Sequence, residues 1–260
     1  MTQTRSYPAW TGLFLGILLA LLLAVPTHAQ VSQEFHRTVP LTANGRVSLD
    51  NINGNVEITG WERNEVQIDA VKTARDQQRL DEATIEVEAG SDDVKIHTKF
   101  PHNHTNNNPA SVQYTLHVPQ HARLEEISLV NGSLTVQKVT GDVKAKLVNG
   151  KARVHDLTGE AYISSVNGSI DASFTSLNNV RQIKFNSVNG SINVGLPSSP
   201  NADVKASTVN GSIKSDFPLT VHGSLVGHKI SGTLGSGGTQ IDLSNVNGSI
   251  HLNSGTGASL

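Results

Sequence analysis

Val130-Asn-Gly-Ser-Leu-Thr-Val136, Val139-Thr-Gly-Asp-Val-Lys-Ala145, Val148-Asn-Gly-Lys-Ala-Arg-Val154, Leu157-Thr-Gly-Glu-Ala-Tyr-Ile163 and Val166-Asn-Gly-Ser-Ile-Asp-Ala172 follow one another at intervals of nine residues. In each unit the first, fifth and seventh positions are aliphatic, the second is Asn or Thr, and the third is Gly. Self-similarity at a short fixed period marks a stacked fold in which each repeat contacts mainly its neighbours. Alternating aliphatics mark half-buried strands, and Asn-Gly supplies a corner where positive φ carries little steric cost.

The pattern reaches beyond this block. It appears early at Ala43-Asn-Gly-Arg-Val-Ser-Leu49 and Ile52-Asn-Gly-Asn-Val-Glu-Ile58, and late in the units that begin at Val188, Val209 and Val246. The predicted structural turns are therefore Asn44-Gly45, Asn53-Gly54, Asn131-Gly132, Gly141, Asn149-Gly150, Gly159, Asn167-Gly168, Asn189-Gly190, Asn210-Gly211 and Asn247-Gly248.

Asn-Gly between alternating strands also signals a β-hairpin, so a meander competes with a stack. Phase favours the stack. Positions five and seven of a unit share a face, but the next first position lies an odd number of residues on and would face the other way in a continuous strand. A bend between units lets all three aliphatics point into one core. Corners alternate Asn (131, 149, 167) and Thr (140, 158), so an 18-residue rung stacks like on like, whereas a 27-residue rung would stack Asn on Thr.

The sequence thus predicts an all-β, single-stranded β-solenoid (β-helix) of roughly 18–22-residue rungs. Later Asn-Gly corners fall 22, 21 and 37 residues apart, and the last interval has room for an inner corner near Ser231-Gly232. Six or so rungs from Asn131 to Asn247 would span about 25–30 Å. The polar tail after Leu252 would leave the last rung as an open edge.

Residues 74–128 break the pattern and read as an excursion that caps or flanks the stack. It holds a short helix within Arg75–Ala83 and strands at Thr84–Glu88, Val94–Lys99 and Val112–Val118. Residues 30–73 then form the first rungs and 129–260 the main repeat. Ahead of these, Arg5, the apolar run Leu13–Val25 and Thr27-His28-Ala29 read as a signal peptide, 1–29.

With no Cys, disulfides, thiolate chemistry and a lipidated cysteine are excluded. Removing 1–29 leaves 19 − 22 = −3 charges, scattered without runs, so nucleic acid is not an expected partner and no membrane span is expected in the mature chain. His102 and His104, with His97 and His117 nearby, look like part of a metal site, but no carboxylate accompanies the pair in its loop. A solvated polar loop is the expectation, with no metal and no cofactor.

The calcium-binding nonapeptide repeat needs a regular Asp, and the matching positions (Ser133, Asp142, Lys151, Glu160, Ser169) vary. Asn-Gly-Ser matches the glycosylation sequon at Asn131, Asn167, Asn189, Asn210 and Asn247, but the turn accounts for each. Outward candidates Asp142, Lys144, Lys151, Arg153, His155, Glu160 and Asp171 alternate in sign like a solvated face and suggest no catalytic pair.

Asn51–Trp61 (NINGNVEITGW), Glu65–Ala70 (EVQIDA) and Tyr114–Pro119 (YTLHVP), followed by serial VNGSI units, resemble the bacterial family of adhesin-like domains of unknown function, the DUF4097 type. The resemblance implies an exported β-solenoid of the cell envelope or surface, and no catalytic residues come with it. The expectation is an exported, non-enzymatic adhesin or envelope-interaction scaffold in the periplasm, on the outer surface or in the medium. A glycan or an envelope protein is the expected class of partner. The alternatives are a polysaccharide-binding module or lyase on the same scaffold, and a periplasmic partner in envelope signalling.

Overall fold

The computed structural model describes residues 30–101, 109–223 and 228–255. The expected signal peptide and the His102/His104 loop lie outside them. The strands in chain order begin with β1 (Val31–Pro40), β2 (Arg46–Asn53), β3 (Val56–Trp61) and β4 (Glu65–Ala74). Helix α1 (Gln77–Glu82) precedes β5 (Thr84–Ala89), β6 (Asp93–Lys99) and β7 (Ser111–Pro119). Next come β8 (Arg123–Asn131), β9 (Leu134–Gln137), β10 (Val143–Asn149), β11 (Ala152–Leu157), β12 (Ala161–Asn167) and β13 (Ile170–Phe174). The remainder is β14 (Gln182–Asn189), β15 (Ile192–Leu196), β16 (Ala202–Asn210), β17 (Ile213–Ser215), β18 (Thr220–Gly223), β19 (His228–Leu234), β20 (Thr239–Asn247) and β21 (Ile250–Ser254).

The chain is all-β, in two large sheets that do not close into a barrel. One has ten strands in the order β1-β4-β7-β3-β9-β11-β13-β15-β21-β17, and the other eleven in the order β18-β19-β16-β20-β14-β12-β10-β8-β2-β6-β5. Each Asn-Gly unit from Asn53-Gly54 onward sends the strand before the corner into the second sheet and the strand after it into the first; Asn44-Gly45 instead leads from β1 in the first sheet to β2 in the second. Neighbouring levels pair in parallel, with Asn131, Asn149 and Asn167 in register. This excludes the meander and bears out the 18-residue spacing.

The order of levels departs from chain order at both ends. β20 lies between β14 and β16, and β21 between β15 and β17. Ser231-Gly232 is not an inner corner, because both residues lie in β19, which runs antiparallel to β16. Nor does the chain's last unit form the open edge: it is sandwiched, and β17 and β18 occupy the edges instead. At the other end β6 and β7, within the expected excursion, pair in parallel with β2 and β3 and add a level. Antiparallel strands finish that end, β5 on β6, β4 on β7 and β1 on β4. The helix has Asp76 as its N-cap, whose carboxylate accepts from Arg79 N at 2.9 Å.

The core fills the space between the sheets. Val143, Ala145, Leu147, Ala152, Val154 and Leu157 are the buried side chains of one level, and Ile183, Phe185, Ile192, Val194 and Leu196 those of another. The first position of each Asn-Gly unit does not join them. Ile52, Val130, Val148, Val166, Val188, Val209 and Val246 are 38–45% exposed, whereas Val139 and Leu157, before the Thr-Gly corners, are fully buried. The strand runs straight through its Val to the corner, and alternation turns that side chain outward while its predecessor points in.

Glycine is needed at these corners mainly because the levels approach so closely. A Cβ on Gly150 would lie 1.9 Å from the Gly132 carbonyl oxygen, and one on Gly168 1.9 Å from that of Gly150. Gly150 has φ 154°, but Gly132 and Gly168 are not among the positive-φ glycines and meet the same contact. Any side chain must push two levels apart. Gly150→Val is therefore expected to cost at least about 3 kcal/mol, an overpacking penalty without room to relax. An unchanged denaturant midpoint would refute the contact.

Tyr114 on β7 is buried between the sheets, its hydroxyl 2.7 Å from Thr98 Oγ1 on β6. Burial pushes its phenol up to about 12. An unfolded tyrosine titrates near 10, so the folded state holds this proton more tightly; its stabilising contribution is present below about pH 10 and fades as pH rises toward 12. Denaturant titrations should show Tyr114→Phe with a flatter loss of stability than wild type between those pH values.

Candidate functional site

Along the Asn-Gly edge, identical side chains repeat once per level. Each Asn amide donates to the Asn oxygen of the next level at 2.8–2.9 Å, running from Asn210 through Asn247, Asn189, Asn167, Asn149 and Asn131 to Asn53. The amides point the same way, so each bond polarises the next. Asn44-Gly45 lies outside this row: Gly45 N donates to Thr42 O at 2.9 Å in a separate turn ahead of β2. The Thr-Gly corners form the other edge, where Thr158 Oγ1 donates to Thr140 O at 3.4 Å. Beside the Asn row runs the row of exposed aliphatics, in the spatial order Ile52, Val130, Val148, Val166, Val188, Val246, Val209.

The outer face of the second sheet continues from that apolar row. One outward column reads Lys144, Tyr162, Lys184, Asp242, Lys205, Ser231, each residue in register with the next. A parallel column reads Lys146, Ser164, Asn186, Ser244, Ser207, Lys229. Two shallow depressions of about 400 and 780 Å³ lie on this face and share Lys184 and Asn186 in their walls. Among the described residues Lys144, Lys146, Lys184, Lys205 and Lys229 form no ion pair, while Lys95 and Lys99 each face an acid. Lys144 Nζ sits 5.9 Å from the Tyr162 ring centroid.

The Tyr162 hydroxyl lies 3.2 Å from Glu160 Oε2 and 3.1 Å from Gln182 Oε1. Burial, reinforced by the Glu160 carboxylate, raises its pKa, so it remains a neutral phenol at physiological pH. At the border of the face Arg181 Nε donates to Glu160 Oε1 at 2.7 Å. Asp203 accepts from Thr233 Oγ1, Gly238 N and Gln240 Nε2, and these donors, the threonine foremost, lower its pKa.

The sequence-predicted outward residues do not share one face. Lys144 lies in the second sheet, with Asp142 and Glu160 just ahead of its strands, whereas Arg153, His155 and Asp171 lie in the first sheet and Lys151 at the corner leading into it. What reads along the chain as alternating sign is sorted by the fold into two surfaces. His97 and His117 are also separated: His97 Nδ1 lies 2.9 Å from Asp50 Oδ2 in the second sheet, and the His117 ring lies 5.2 Å from that of Trp61 in the first. Among the described residues no three His, Asp or Glu side chains converge as a metal site. No described helix is long and apolar enough to cross a membrane.

The exposed aliphatic row yields a direct check. Val166→Thr should alter stability by no more than about 0.5 kcal/mol, as surface changes do. Val154→Thr, which places a hydroxyl in the core, should cost about 1–3 kcal/mol. Equal losses in thermal or chemical melts would contradict the outward assignment.

Several solved structures are similar to this chain. One is a putative cell adhesion protein from Clostridium sporogenes (16% identity, 86% of this chain and 100% of that one, TM-score 0.49). Another is a putative adhesin from Bacteroides fragilis (13% identity, 85% and 97%, TM-score 0.36). A third is a putative adhesin from Parabacteroides merdae (7% identity, 85% and 96%, TM-score 0.36). No curated protein matches the sequence. The family model described as Toastrack DUF4097 matches residues 40–253, so the chain belongs to that family.

Proposed function

We propose that this chain is an exported, non-enzymatic β-solenoid scaffold that acts in adhesion or envelope interaction by displaying repeated side-chain columns. The observation that carries this reading is the regular outer surface. One Asn, one aliphatic and one or two Ser, Asn or Lys side chains recur per level, on a backbone whose spacing is set by strand pairing. Such an array suits a ligand that is itself a repeating polymer. Each contact is weak, and affinity comes from engaging many levels together.

The solenoid form is supported by the parallel, in-register pairing of levels through both sheets. The signal-peptide features of residues 1–29 support export. The polysaccharide-binding alternative uses the same columns and differs only in the partner.

Binding and turnover should be measured on the purified protein against a panel of envelope and host glycans. The expected result is saturable binding without product release. Release of oligosaccharide from any polymer would overturn the non-enzymatic reading. Capture of one membrane protein with no glycan binding would favour envelope signalling over adhesion.

A further inference from the structure

We infer that the lysine-bearing face of the second sheet binds an extended acidic polysaccharide that carries one negative charge on every second sugar. The inference rests on the scaffold reading above and assigns it a face and a class of ligand.

Three observations converge. First, five lysines that form no ion pair among the described residues stand on this face beside Glu125, Glu126 and Asp242, although the chain as a whole carries net charge −2. Lys144, Lys146, Lys184, Lys205 and Lys229 all point outward there. Ammonium groups that close no ion pair are available to an anionic ligand.

Second, the cations are spaced. Lys144, Lys184 and Lys205 occupy alternate levels, with Tyr162 and Asp242 between them. Two strand spacings are about 9.6 Å, comparable to the length of a disaccharide in an extended β-linked chain. A carboxylate on each second sugar would meet a lysine each time. The neutral sugars between them would lie over the Tyr162 phenol and over Asp242, which repels a polymer charged at every unit.

Third, the neighbouring column supplies hydrogen-bonding groups for sugar hydroxyls. Ser164, Asn186, Ser244 and Ser207 stand in a row, with Lys146 and Lys229 at its ends. Nucleic acid fits less well: single-strand binders use aromatic platforms on which bases stack, and the one aromatic side chain in these columns is Tyr162.

The test uses the purified protein with hyaluronan oligosaccharides as the alternating polyuronate, polygalacturonate as the fully charged one, dextran as neutral control and single-stranded DNA. Hyaluronan should bind saturably at low ionic strength and weaken as salt rises, ahead of the other three. Lys144→Gln/Lys184→Gln/Lys205→Gln should weaken it at least tenfold, whereas Lys151→Gln/Lys214→Gln, off this face, should leave it unchanged. Asp242→Asn should narrow the preference over polygalacturonate. Circular dichroism and melting temperature establish that each variant is folded.

No hyaluronan binding, equal binding of polygalacturonate or DNA, or a triple variant that binds like wild type would overturn the assignment. If the protein binds another glycan or an envelope protein equally well with the three lysines replaced, the scaffold reading survives and this face is not its site.

Discussion

The structure depends on how closely one backbone passes over the next at the Asn-Gly corners. Carbonyl oxygens of one level lie where a Cβ of the next would be, from Gly132 over Gly54 to Gly211 over Gly248. That approach brings Asn amides within hydrogen-bonding distance of their neighbours and keeps the strands on both sides in register. A larger residue at the corner would separate the levels, weaken both ladders and open the core between them. The Thr-Gly edge obeys the same constraint, since a Cβ on Gly159 would lie 2.5 Å from the Gly141 oxygen. Core burial then supplies the main driving force, at roughly 1.5–3 kcal/mol for each fully buried large aliphatic.

Register makes the surface as ordered as the interior. Because parallel levels align residue on residue, whatever points outward in one level stands beside its equivalent in the next. The rows of Asn, of exposed Val and of Ser or Lys follow without further design. Asn repeats beside Asn and Val beside Val along a line, while the columns next to them mix Lys, Ser, Asn, Tyr and Asp.

The corners, the 18-residue spacing and the alternation of Asn with Thr were all legible in the sequence, because glycine and asparagine have a narrow set of structural roles. The levels stack in parallel, but not because all three aliphatics of a unit share a core: Val130, Val148 and Val166 face solvent. Periodicity alone does not show on which side of a corner the strand phase resets. The order of levels was not legible, since the units at Val188, Val209 and Val246 all read VNGSI. Packing offers a reason for the observed order. Ile241 and Leu243 on β20 lie between Ile183 and Phe185 on β14 and the smaller Val204 and Ala206 on β16, so side-chain size steps down toward the end of the stack. The basic face was hidden for the same reason, because its lysines come from strands far apart in sequence.

The out-of-order level therefore underlies both the packing and the candidate binding face, since Lys205 follows Asp242 and Lys184 only if β20 is inserted. The chain has no native cysteine, which permits a clean test by disulfide trapping. Ser191 and Ser249 precede Ile192 and Ile250, which are direct partners, while Ser212 lies one level further on. Adjacent levels fall within the Cα separation that a disulfide spans, and two levels do not. Under mild oxidation, Ser191→Cys/Ser249→Cys should cross-link with folding retained, and Ser191→Cys/Ser212→Cys should not. Cross-linking of the second pair in place of the first would contradict the stacking order and the arrangement of the lysine face with it.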